Sequence, residues 1–158
     1  MNKLIRKNRF QNIAIILIIA MFFIADRLLK HLALSSNAAK PLLGEVFLFN
    51  FTENYNISFS LPLSGPILNI IIILIILILI LIISKLILKE KCLSLKTALL
   101  TFILFGAISN IVDRLLYGFV IDYLELKYFT VFNIADVMIS LGVLVLIFNL
   151  MKDKKYVG

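Results

Sequence analysis

The chain has one cysteine, Cys92, and one histidine, His31. Neither an internal disulfide nor a Cys/His metal cluster can be built from them within one chain. Charge is also scarce. Only 16% of the 158 residues are charged and 62% are hydrophobic, with a mean hydropathy of +1.08, whereas a soluble domain is about one quarter charged. Sixteen Lys and Arg against nine Asp and Glu give a formal charge of +7. Most of it sits at the ends of long apolar runs, the aromatics are mainly Phe, and no zinc-finger or RNA-binding pattern is present. The basic residues read as topology determinants facing anionic headgroups, and nucleic acid is excluded as a partner.

The composition implies an all-α membrane protein. Four stretches, 11–34, 65–88, 97–116 and 131–151, are long enough to cross a hydrocarbon layer of about 30 Å. They form one domain over 1–158. The basic N-terminus followed by an apolar run resembles a signal peptide, but Asp26, Arg27 and Lys30 interrupt the outer part of that run, and a retained first helix is expected. The second stretch, almost wholly Ile and Leu from Ile67 to Ile83 apart from Asn69, reads as a lipid-facing wall.

Segments 35–64 and 117–130 hold one lysine each, Lys40 and Lys127, while Lys85, Lys89, Lys91 and Lys96 crowd segment 85–96 and Lys152, Lys154 and Lys155 the C-terminus. By the positive-inside rule, both termini are cytoplasmic and the two Lys/Arg-poor loops face outward. In the first of them Phe47, Phe49 and Phe51 alternate with Leu48, Asn50 and Thr52, the two-residue period of a strand with one apolar face. Asn54 and Asn56 follow with turn chemistry. A small extracytoplasmic sheet or hairpin over 45–60 is expected.

Ionisable residues inside membrane spans cost a few kcal/mol or more and mark functional sites. Asp26, Asp113 and Asp136 qualify. Counted from the nearest cytoplasmic charge of each span, Arg9, Lys96 and Lys152, all three lie roughly 24–26 Å from the inner boundary at about 1.5 Å per residue. A proton wire across the membrane would instead need carboxylates at several depths. Asp113 and Asp136 lie on the third and fourth helices, antiparallel neighbours with a short connection, so their carboxyls can meet. Such a pair shares one proton near neutral pH and offers an acid and a base in one site. One Asp takes a proton from water attacking a peptide carbonyl, and the other stabilises the oxyanion. No metal or cofactor is required. The bland reading has Asp113 paired with Arg114 and Asp136 capping its helix. Asn110 and Asn133 each stand three residues before an aspartate, on the same helical face. Asp26 and Lys30, at i and i+4, can pair with each other.

These residues carry a family resemblance. Asp26-Arg27-Leu28-Leu29-Lys30, Asn54 through Phe59-Ser60, Gly106-Ala107-Ile108-Ser109-Asn110-Ile111-Val112-Asp113-Arg114, Val120-Ile121-Asp122-Tyr123 and Phe132-Asn133-Ile134-Ala135-Asp136 resemble, in order, the motifs of the lipoprotein signal peptidases, or signal peptidase II. The resemblance implies a catalytic pair of Asp113 and Asp136, a substrate site lined by Asn54, Asn110, Arg114 and Asn133, and structural support from Asp26 and Lys30. It implies an aspartyl endopeptidase of the bacterial cytoplasmic membrane, with its active site near the outer face. Such an enzyme cleaves diacylglyceryl-modified prolipoproteins before the lipidated cysteine, meets membrane lipid, is blocked by globomycin-like cyclic peptides and works as a monomer. The chain departs from the family at Asn54-Tyr55-Asn56-Ile57, where glycine usually follows the asparagine by two, and at Ser109, where glycine is common. Asn56 is expected to take the left-handed turn conformation in glycine's place, and Ser109 to change local packing only. Competing readings are a small proton-coupled carrier and an inactive lipoprotein-binding membrane factor.

Overall fold

A computed structural model describes residues 2–36, 38–57, 61–89 and 93–155. Phe59, Ser60 and Cys92 lie outside the described residues. Among the described residues are four long helices: α1 (Asn2–Leu34), α2 (Pro66–Lys89), α3 (Leu95–Tyr117) and α4 (Ile134–Lys155). Each contains a segment long and apolar enough to cross a membrane: Phe10–Leu34, Pro66–Lys89, Leu95–Tyr117 and Ile134–Lys152. Between α1 and α2 run the strands β1 (Lys40–Leu43), β2 (Phe47–Asn54), β3 (Asn56–Ile57) and β4 (Leu61–Ser64). Between α3 and α4 run β5 (Val120–Leu126) and β6 (Thr130–Phe132).

Local chemistry sets the helix limits. Gly65, at φ 81°, precedes Pro66, whose missing N–H costs nothing in a first turn. The Ser94 side chain accepts from the Thr97 N–H at 3.2 Å and starts α3. Gly118, at φ 84°, ends it by returning its N–H to the Arg114 carbonyl at 3.1 Å, a left-handed cap that only glycine adopts cheaply. α4 opens with a reciprocal capping box. Asn133 Oδ1 accepts from the Asp136 N–H at 2.8 Å, and Asp136 Oδ2 accepts from the Asn133 N–H at 3.3 Å.

α2 buries only Leu68, Ile76 and Ile83. Ile76 and Ile83 meet Leu100, Leu104 and Ile111 of α3, with Ile72, Leu79 and Leu86 partly buried beside them, and the opposite side of this Ile/Leu helix is an exposed apolar wall, as its composition implies. α1 and α3 are joined by edge-on ring pairs, Phe22 with Phe102 and Phe23 with Phe105, each 5.4 Å between centroids. α3 and α4 approach closely at Gly106 and Gly142. A Cβ at Gly106 would stand 2.7 Å from the Ala135 carbonyl oxygen. Backbone cannot step aside there, so Gly106→Ala is expected to separate the helices and cost about 1–3 kcal/mol. Thermal unfolding in detergent would read this as a lower midpoint; an unchanged midpoint would show that the approach is not needed.

The sheet is larger than the sequence pattern indicates. Residues 45–60 alone suggest a hairpin, but β5 and β6 join from the other outer segment to give an antiparallel sheet in the order β1-β2-β5-β6, with β3-β4 as a separate pair. Isolated two-stranded ribbons are marginal, and β5 supplies the missing partner for β2. Ile121 and Tyr123 of β5 are fully buried with Ala33 at the end of α1, against Phe49, Phe51 and Phe119. That contact seats the sheet on the helices. In the β2–β5 register Thr52 faces Asp122 and Asn54 faces Val120, with an irregularity between Phe49 and Thr52.

Candidate active site

A cavity of about 620 Å³ opens where the sheet meets the start of α4. Asp122 from β5 and Asp136 from α4 line it, with Asn54, Tyr55 and Asn56 on one side and Leu126, Phe129, Val131, Phe132, Val137 and Leu141 on the other. Asn133 ties the two carboxyls together: its Nδ2 donates to Asp122 Oδ1 at 2.6 Å while its backbone N–H donates to Asp136 Oδ2. Asn54 Nδ2 donates to the second Asp122 oxygen at 2.9 Å, a diagonal reach across the β2–β5 ladder. Asn110 Nδ2 donates to Asp136 Oδ1 at 2.8 Å.

Asp122 is only 1% exposed. Burial, reinforced by the negative charge of Asp136, raises its pKa to about 7 against the opposing hydrogen bonds of Asn54 and Asn133 and the charge of Lys30. Its neighbour Tyr123, also buried, has its phenol pushed well above the usual range by desolvation and by Asp26, so it stays a neutral donor, bonding Asp26 Oδ1 at 2.9 Å.

The geometry differs from the expected pairing of Asp113 with Asp136. Asp113 is fully buried and does not line the cavity. Its Oδ1 is held by Arg27, and its Oδ2 receives Lys30 Nζ at 2.7 Å and the Ile121 N–H at 3.3 Å. Lys30 and Asn110 stand between it and Asp136: Lys30 Nζ donates to Asn110 Oδ1 at 2.8 Å, and Asn110 donates onward to Asp136. The Asp113–Arg114 pairing of the bland reading is not formed either; Asp113 contacts α1 instead. A buried carboxylate is stabilised by close cations, and two of them on the facing helix hold Asp113 away from the cavity.

Asp26 and Lys30 stand where four elements meet. They pair at 3.0 Å, and Asp26 also accepts from Ser109 Oγ at 2.6 Å, Tyr123 Oη and the Ala135 N–H at 3.1 Å. Ser109 thus does more than alter packing: a glycine there would remove one of the four donors that surround the Asp26 carboxylate. Arg114, 7% exposed, donates to the carbonyls of Tyr55 at 3.3 Å and Asn56 at 2.6 Å, and so holds the outer loop rather than a carboxylate. Asn56 is not left-handed. It is extended in β3, its N–H donating to Asn54 Oδ1 at 3.0 Å. Among the described residues Tyr128, at the β5–β6 tip, is the non-glycine with positive φ, at 71°. Charge inside membrane spans does not single out Asp122, which lies on β5 beyond the end of α3. Its signal was an acid inside the apolar run Phe119-Val120-Ile121-Asp122-Tyr123-Leu124.

The arrangement therefore offers a buried carboxyl, Asp122, and a half-buried one, Asp136, joined by Asn133 beside an apolar cavity, with Asp122 poised to hold a proton at neutral pH. A family model described as signal peptidase (SPase) II matches residues 7–152. The chain belongs to the signal peptidase II family, and it is a protease. A lipoprotein signal peptidase of Moorella thermoacetica is 30% identical over 140 residues, covering 85% of this chain and 91% of that one. One of Clostridium tetani is 42% identical over 62 residues, covering 36% of this chain and 40% of the relative. A solved bacterial membrane enzyme has the same fold, with a TM-score of 0.75, 23% identity and 89% of each chain covered. Neither the carrier nor the inactive binding factor draws support from these likenesses.

Proposed function

We propose that this protease removes the signal peptide of diacylglyceryl-modified bacterial prolipoproteins, cleaving before the lipidated cysteine, with Asp122 and Asp136 as its catalytic pair. The single observation that carries the pair is that these two carboxyls, from β5 and α4, face one cavity and share Asn133. One proton is divided between them, and the titration belongs to both. The ionised member takes a proton from a water as it attacks the scissile carbonyl; the protonated member hydrogen-bonds to the developing oxyanion and passes its proton to the leaving amine as the carbon–nitrogen bond breaks, so the pair ends with the one proton taken from water. Asn54, Asn110 and Asn133 hold the carboxyls in orientation, and Arg114 fixes the backbone of residues 55–56 beside the substrate. Leu126, Phe129, Val131, Val137 and Leu141 offer apolar contact to acyl chains or signal-peptide side chains. Asp113, Asp26 and Lys30 support the site from behind.

The chain spans the cytoplasmic membrane four times as one domain with both termini inside, since the Lys/Arg-poor segments carry the sheet. The site then lies at the outer face, where a lipidated cysteine resides. It works as a monomer without metal, cofactor or nucleic acid, among membrane lipids, and globomycin-like cyclic peptides occupy the same cavity.

The test is cleavage by purified protein in detergent of a peptide carrying diacylglyceryl-cysteine, against the same peptide with free cysteine. Cleavage before the cysteine is expected for the lipidated peptide only. Activity is expected to fall as pH rises past about 7, where the proton shared with Asp122 is lost. Equal cleavage of both peptides would remove the lipid from the recognition; no cleavage of either would remove the substrate assignment.

A further inference from the structure

We propose that Arg27 is a positioning residue that sets the number of protons on the Asp122–Asp136 pair by completing the charge balance of the buried cluster. The inference rests on the pair proposed above. Among the described residues, the cluster holds four carboxyls, Asp26, Asp113, Asp122 and Asp136, and three cations, Arg27, Lys30 and Arg114. With every acid ionised the cluster would carry one net negative charge in a poorly solvated interior. One bound proton makes it neutral, and the member that accepts it most readily is the one whose oxygens meet amides rather than cations. Asp113 is held by two cations and Asp26 by one; Asp122 and Asp136 accept from neutral Asn groups and backbone N–H. The proton therefore resides on the pair.

Arg27 is the cation with the narrowest duty. Its Nη1 reaches Asp113 Oδ1 and the Ser109 carbonyl, and its side chain is 27% exposed, away from the cavity. Without it, Lys30 alone faces both Asp26 and Asp113. Lys30 also bonds Asn110, the amide that donates to Asp136, so the imbalance reaches the pair through a single side chain. The other groups around the pair are accounted for: Tyr123 on β5 is neutral, Arg114 on α3 points Nη1 and Nη2 at carbonyls, and Glu53 on β2 is exposed at the cavity rim and accepts from the Tyr55 hydroxyl at 2.6 Å.

The experiment is the pH profile of kcat/KM on the lipidated peptide for wild type, Arg27→Gln, Arg27→Lys and the double variant Arg27→Gln with Asp113→Asn. Removing a nearby positive charge favours protonation, so both limbs of the Arg27→Gln profile are expected to move to higher pH by about one unit. Arg27→Lys restores the charge and the profile. The double variant removes one charge of each sign and is expected to return the limbs to their wild-type positions even where its kcat is lower. If Arg27→Gln is folded but inactive, titration of the protonated-carboxyl infrared band gives the same midpoint without turnover. If Arg27→Gln does not fold, Asp113→Asn alone, which removes the opposite charge, carries the reading: its limbs are expected to move to lower pH, and unmoved limbs there would overturn the charge-balance role. Unmoved limbs in Arg27→Gln, or limbs in the double variant displaced from wild type, would overturn the charge-balance role. A wild type whose profile is insensitive to Asp122→Asn and Asp136→Asn would instead remove the pair itself.

Discussion

Asp122→Asn is expected to lower kcat by at least about 10³-fold with the fold retained, while Asp113→Asn lowers it by roughly 10- to 100-fold. The first figure follows from removing a group that exchanges the proton in both steps, a loss that general acid–base chemistry and oxyanion stabilisation together set at several orders of magnitude. The second follows from geometry. Asp113 is fully buried, spends its oxygens on Arg27, Lys30 and the Ile121 N–H, and reaches the reacting groups indirectly, through the backbone next to Asp122 and through Lys30 and Asn110. An amide at position 113 can still accept the Ile121 N–H, so the strand is displaced rather than lost. The measurement is single-turnover cleavage with matched thermal unfolding of each variant. Background-level activity in Asp113→Asn beside a robust rate in Asp122→Asn would return the catalytic role to Asp113 and sink the pair assigned here.

That contest shows which layers of this protein are legible in its sequence. Four helices, the lipid-facing α2 and the Asp26–Lys30 pair follow from hydropathy and i,i+4 spacing, because both are local periodicities. The strand character of residues 47–54 follows from the Phe alternation in the same way. The partnership of β2 with β5 does not, since it joins segments some 70 residues apart, and nothing in either strand names the other. Without that pairing Asp122 looks like an acid in a loop. With it, Asn54 and Asp122 meet across one ladder. Asn133 and Asp136 are the instructive middle case. Their spacing reads as a cap and as a site; the structure shows the cap, and the capping box that starts α4 is what turns the Asp136 carboxyl toward Asn110 and the cavity. Asp113 shows the limit of depth counting. It places carboxyls at one level but does not say which cations of α1 face them.

Lys30→Met carries the largest expected effect on stability, a loss of about 3–5 kcal/mol, the range for removing one partner from a buried ion pair. Lys30 is fully buried and its Nζ serves Asp26 at 3.0 Å, Asp113 at 2.7 Å and Asn110 at 2.8 Å. Methionine matches its volume and stem, so the change isolates charge and hydrogen bonding from packing. What remains is two fully buried carboxylates opposed by Arg27 alone, together with an Asn110 carbonyl that has lost its cation. The same loss weakens the site, because the Asn133 Nδ2 donor at 3.2 Å is then the one remaining partner that holds the Asn110 carbonyl oxygen while its amide reaches Asp136. Unfolding in mixed micelles should show the destabilisation, and the triple change Asp26→Asn, Lys30→Met, Asp113→Asn should recover much of the stability but little activity, since it removes the stranded charges without restoring the link to Asp136. A single Lys30→Met variant as stable as wild type would mean that water or lipid headgroups reach the cluster and solvate it, and the buried ion network could then no longer be counted as the joint between α1, α3 and α4.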